Sequence, residues 1–153
     1  MTNVLGAFAF LLGANLASAG ALALSMHIEP PEVKAGTWPV FVVTITNTSN
    51  DVIRILDFAA RGDLQGAYLP IEVRDGSRTV DMPHAIDDPG PLSDDAYRSL
   101  GPHQSEIVGL RSVPAAIHLL EPGQYTVTVQ YRESLRAADT EVIHASASLV
   151  VHK

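Results

Sequence analysis

The chain has no cysteine. That removes disulfide staples, thiol nucleophiles, cysteine-zinc sites and lipoprotein anchoring, and it leaves stability to the core alone. Lysine and arginine together number 10 against 17 aspartates and glutamates, a formal charge of −7. No basic cluster forms, so a nucleic-acid partner and an anionic membrane surface are both disfavoured. Gly-x-Ser-x-Gly, the P-loop, the Rossmann glycines and His-Glu-x-x-His are absent, so the sequence offers no nucleophile elbow, phosphate cradle, dinucleotide site or zinc-protease centre. The expectation is a protein that is not an enzyme and holds no cofactor. There is no long amphipathic helix, no internal repeat and no low-complexity tract.

What is present is a chain of 153 residues with 46% hydrophobic and 18% charged residues, enough for one domain with one core and too apolar for disorder. Its first 28 residues carry no Lys, Arg, Asp or Glu. Val4 to Leu16 is an apolar run, and Ala17-Ser18-Ala19 then supplies the small residues that a signal peptidase accepts. Residues 1–19 are therefore expected to be a signal peptide, with Ala23 as an alternative cut and a retained anchor as the other reading. A periplasmic or secreted protein follows, with membrane contact only if the segment is kept. The domain would run from residue 24 to 153.

Strand signals dominate that domain. Leu120 to Tyr131 is the clearest strand: the Pro122-Gly123 turn feeds into strict alternation, with Tyr125, Val127, Val129 and Tyr131 on one face and Thr126, Thr128 and Gln130 on the other. Val40 to Thr46 is a second strong run, with Phe41, Val43 and Ile45 on one face. Leu24, Met26 and Ile28 alternate in a first strand stopped by Pro30-Pro31. Val33 to Pro39 reads as a turn region, and Asn47 to Asp51 as a hairpin loop before Val52 to Leu56. Leu69 to Arg74 is a strand whose Pro70 marks a start or an edge, and Asp75-Gly76 signals a hairpin to Thr79–Met82. Glu106 to Leu110 and Glu141 to His152 are further strands, while Val113 to Leu120 fits a helical turn or a strand. Pro83 to Leu100 has no periodicity and reads as one long loop. Seven to nine short strands with regular turn signals argue for an all-β antiparallel sandwich.

Two phrases, PEVKAGTWPVFVVTITNTSNDVIRIL and LEPGQYTVTVQY, resemble immunoglobulin-like domains of secreted bacterial proteins. The first is also similar to the non-catalytic β-sandwich region of deuterolysin-type metallopeptidases and to small bacterial proteinase-inhibitor domains. The resemblance implies an immunoglobulin-like β-sandwich and no protease activity. Within that fold Tyr125 stands where a tyrosine corner falls, its hydroxyl returning to backbone just upstream. Trp38, the single tryptophan, is expected to cap one end of the core.

The six histidines, His27, His84, His103, His118, His144 and His152, form no i, i+2 or i, i+4 pair and hence no local ligand set. Met26-His27 and Met82 with His84 are of the soft type that copper accepts, but strand neighbours point to opposite faces. Asp81, Asp87, Asp88, Asp94 and Asp95 could supply oxygen to Ca²⁺, although their spacing is not that of an EF-hand. Arg61-Gly62-Asp63 matches an adhesion tripeptide, and Asn47-Thr48-Ser49 a glycosylation sequon whose turn role suffices. No metal site is assigned. The candidate binding residues are His84, Asp87, Asp88, Asp94 and Asp95, on the long loop where a rigid scaffold carries recognition. The expected function is an exported binding or structural module acting on an unknown protein or envelope component. A periplasmic copper or calcium protein and a secreted proteinase inhibitor are the alternatives.

Overall fold

In a computed structural model of the chain, which describes residues 17–81, 89–110, 115–132 and 142–153, alternation becomes burial. Phe41, Val43 and Ile45 are fully buried, as are Val127 and Val129, while Tyr125 and Tyr131 stay below one-tenth exposure. The strands in chain order are β1 (Ala17–Ala19), β2 (Leu22–Glu29), β3 (Glu32–Lys34), β4 (Val40–Asn47), β5 (Ile53–Leu56), β6 (Ile71–Asp75), β7 (Arg78–Val80), β8 (Tyr97–Leu100), β9 (Ser105–Gly109), β10 (Gly123–Arg132) and β11 (Val142–His152). One α-helical turn, α1 (Gln65–Tyr68), and three 3-10 turns complete the described elements. The fold is all-β.

One sheet has the order β1-β2-β4-β9, a second β3-β11-β10-β6-β7, and a small third pairs β5 with β8. All pairs are antiparallel except β3 with β11, which is parallel. The prolines after Glu29 explain how one stretch serves two sheets. Pro30 and Pro31 lack the N–H that would continue the ladder, so β2 ends in the first sheet and β3 begins in the second. A single hydrophobic core takes Leu24, Met26, Phe41, Val43 and Val108 from the first sheet and Val73, Val127, Val129, Ala145 and Leu149 from the second. Burying each such Leu, Ile, Val or Phe is worth about 1.5–3 kcal/mol relative to exposure.

The structure differs from the sequence expectation at several points. Three short strands are additional: β1 within the small-residue triplet, β3 in the expected turn region, and β8 in the expected loop. β8 exists because β5 pairs with it from Ile53↔Leu100 to Leu56↔Tyr97. Its own burial pattern is exposed in the middle, so it carries no alternation to read. β6 lies between β10 and β7, which makes Pro70 a strand start and not an edge. The pairing Asp75↔Arg78 leaves Gly76-Ser77 as the hairpin loop, one residue later than the Asp-Gly signal suggests. Gly76 takes φ +56 there, the left-handed region that glycine enters without strain. Ala115–Leu119 resolves as a 3-10 turn.

The loop after β4 is organised by one buried side chain. Asn47 is 0% exposed. Its carboxamide nitrogen donates to the carbonyls of Asp51 (2.7 Å), Gly101 (2.9 Å) and Leu100 (3.1 Å), and its oxygen accepts from the Ser49 N–H (2.9 Å) and hydroxyl (2.8 Å). It thereby ties the β4–β5 loop to the β8–β9 turn. The sequon nitrogen is fully engaged in the folded chain. Replacing Asn47 with Ala would strand buried carbonyls on two loops, and we expect a loss of about 3 kcal/mol, measured by urea denaturation of both proteins; a loss under about 0.5 kcal/mol would remove Asn47 from this role.

Candidate functional site

Of the residues weighed for binding or metal, Met82, His84, Asp87 and Asp88 lie outside the described residues. Asp94 and Asp95 open a 3-10 turn, Asp94–Ala96, and Ala96 is fully buried beneath it. Asp94 is turned to Arg54, whose Nη2 donates to its Oδ1 at 3.1 Å, and the Arg54 guanidinium also lies over the Tyr97 ring at 4.8 Å. Asp95 accepts from the Ser93 hydroxyl, which together with its own backbone hydrogen bond holds its carboxyl below the usual carboxylate range. Each carboxylate has a partner of its own, and among the described residues no three His, Asp or Glu side chains converge as a metal-ligand set.

The histidines are dispersed. His27 Nε2 meets Glu29 Oε1 at 3.0 Å, while Met26 beside it points into the core at 2% exposure. His152 Nε2 meets Glu32 Oε2 at 3.1 Å, and His103 meets Asn50 at 3.1 Å. His118 stacks on Trp38 with ring centroids 5.0 Å apart and planes at 25°. Trp38 is 52% exposed and so does not cap the core. The cause is local. Ala35 N–H donates to the His152 carbonyl, Thr37 N–H donates to the Lys34 carbonyl, and Gly36 takes φ +83. This closed turn directs the indole outward onto the imidazole.

Tyr125 is 7% exposed and its hydroxyl donates to the Glu121 carbonyl at 2.8 Å. Burial pushes its hydroxyl pKa up. Arg61 and Asp63 grip each other in a two-pronged pair, Nε to Oδ1 at 3.0 Å and Nη2 to Oδ2 at 2.9 Å. The same contact holds the Asp63 carboxyl below its ordinary range. The ends of the tripeptide are thus committed to one another.

Two features escape the sequence reading. In β9, Glu106 points inward beside Val108, and Ile107 is 72% exposed. Val108 and Leu110 share that inward face, so Glu106 is carried in with them. The Glu106 side chain is 6% exposed, with Arg98 Nη1 3.2 Å from Oε2, and neither carboxylate oxygen has an aligned donor among the described residues. Burial pushes its carboxyl pKa up, Arg98 partly offsets this, and Asp57 adds to it.

The second feature is a hollow of about 260 Å³ lined by Pro70, Ile71, Glu72, Val73, Thr79, Val80, Asp81, Gln130 and Arg132. It opens where the β6–β7 ladder stops at Val73↔Val80, at the end of the second sheet from which the chain enters the 83–100 segment. Arg132 Nη2 donates to Gln130 Oε1 at 2.8 Å, while Arg132 Nε is buried without an acceptor among the described residues. Glu72 is paired with Arg74. Asp81 and Pro70 carried sequence signals of their own, but the group meets only through strand pairing.

No protein-family model matches the chain, and no curated protein matches it in sequence.

A carboxyl whose pKa is higher in the folded than in the unfolded chain is bound to its proton more tightly when folded. Its contribution is therefore greatest at low pH and falls as pH rises from the unfolded value through the folded one. The difference in melting temperature between wild type and Glu106→Gln should accordingly shift in favour of the variant as pH rises from about 4 to 7. A pH-independent difference in paired thermal scans would show that Glu106 does not titrate as its burial requires.

Proposed function

We propose that the chain is an exported immunoglobulin-like β-sandwich, a non-catalytic binding or structural module of the bacterial cell envelope. Its recognition surface is formed by loops at one end of the sandwich. The observation that carries the fold reading is the Tyr125 hydroxyl returning to the Glu121 carbonyl at 2.8 Å, near the start of β10, which is the geometry of a tyrosine corner. The strand orders support it: β2-β4-β9 opposite β11-β10-β6-β7 corresponds to A-B-E opposite G-F-C-C′. The short β3 joins the second sheet in parallel at its β11 edge.

Export is supported by the apolar Val4–Leu16 run and the Ala17-Ser18-Ala19 triplet. That triplet pairs with Leu22–Leu24 in the folded chain, so cleavage would have to precede folding. Recognition by loops is supported by the 89–95 segment, in which Pro91, Ser93, Asp94 and Asp95 are exposed and no residue is buried. The strands beneath it form the rigid scaffold that such loops use.

The test must spare Ala96 and Leu100, both buried. Replacing residues 83–88 with a Gly-Ser linker should abolish cross-linking of the exported protein to its envelope partner and leave the melting temperature within about 2–4 °C of wild type. Equal cross-linking by wild type and variant would place recognition elsewhere.

A further inference from the structure

The Ala17-Ser18-Ala19 triplet is a strand, and the bond that follows it opens a hairpin turn. β1 pairs antiparallel with β2 from Ala17↔Leu24 to Ala19↔Leu22, which leaves Gly20-Ala21 as the two-residue loop. Gly20 takes φ +56 there. The Thr48 N–H donates to the Ala21 carbonyl at 2.8 Å. That contact sets the parity of β2, because backbone groups along an antiparallel strand alternate between its two neighbours. Ala21 and Ala23 face β4, while Leu22 and Leu24 turn their N–H and C=O groups to β1. β1 also runs close to β11 of the other sheet. The second small-residue triplet, 21–23, stands differently. Leu22 and Ala23 pair with Asn47 and Thr46 of β4, and Ala23 is buried. A cut after Ala23 would take two residues out of the first sheet. A cut after Ala19 removes β1 and leaves every β2–β4 pair in place.

We propose that Ala19–Gly20 is the processed bond and that folding closes it to the peptidase. A peptide read through its backbone must be extended and free to pair with the reader. In the hairpin the backbone of Ala17 and Ala19 is engaged by Leu24 and Leu22, and Gly20 is left-handed. The bond is then cut only from the open hairpin, at a rate set by how often that state is populated. Timing selects between two products. A chain cut before it folds leaves as a domain that starts at Gly20. A chain that folds first keeps the apolar Val4–Leu16 run. The inference rests on the export reading of that run, and goes beyond it in naming the bond and the step that protects it.

The experiment synthesises the full chain in vitro with a bacterial signal peptidase in detergent. The peptidase is either present throughout or added once the chain has folded. Presence throughout should give a product whose mass starts at Gly20. Late addition should cut at least about tenfold more slowly, the equivalent of 1.4 kcal/mol. Leu22→Pro removes an N–H that faces β1 and none that the β4 ladder uses, so the folded variant should be cut nearly as fast as the chain treated during synthesis. Equal rates in the two wild-type arms, a product starting at Leu24, or a folded Leu22→Pro chain as resistant as wild type would overturn the proposal. The two wild-type arms decide it even if the variant misfolds. No cut in either arm would overturn the export reading together with this one, whereas equal cutting in both removes only the protection by folding.

Discussion

Two facing rows of side chains carry this structure: Phe41, Val43 and Ile45 on β4, and Tyr125, Val127, Val129 and Tyr131 on β10. All are buried in one core. With no cysteine to join the sheets, apolar burial is the force that holds β2-β4-β9 against β3-β11-β10-β6-β7. The outer faces are then released from packing duties and carry hydroxyl pairs instead, Thr46 with Ser105 and Thr128 with Ser146, each at 2.8 Å. Such cross-strand pairs add a little to register without adding to the core.

The polar groups inside the protein divide into two kinds. Asn47 satisfies every one of its hydrogen-bonding atoms and so converts burial into loop order. Glu106 does the opposite: it is buried with one arginine nearby and no aligned donor among the described residues. β9 is an edge strand of its sheet, and an inward charge on an edge strand discourages edge-to-edge association.

The alternation in Val40–Thr46 and Gln124–Tyr131 made the two main strands and their inward faces legible, because period two is a local property of the chain. Tyr125 was legible for the same reason, with Pro122-Gly123 just ahead of it. β8 and β3 were not, since each is a strand only through its partner, β5 in one case and β11 in the other. The parity of β9 was not legible, because Ile107 and Val108 are both apolar and only the assembled sheet decides which faces in. Trp38 points outward because of a turn closed by the Lys34 and His152 carbonyls, the second of them far away in sequence. The hollow at Arg132 brings together residues from three strands, and no spacing along the chain announces it.

The claim that one core serves both sheets is tested most directly by native-state hydrogen exchange. The slowest amides of β4 and of β10 should share one opening free energy, equal to the global unfolding free energy from denaturant, because neither sheet can lose the other and remain folded. Two separate energies, with one sheet opening while the other stays protected, would contradict the account.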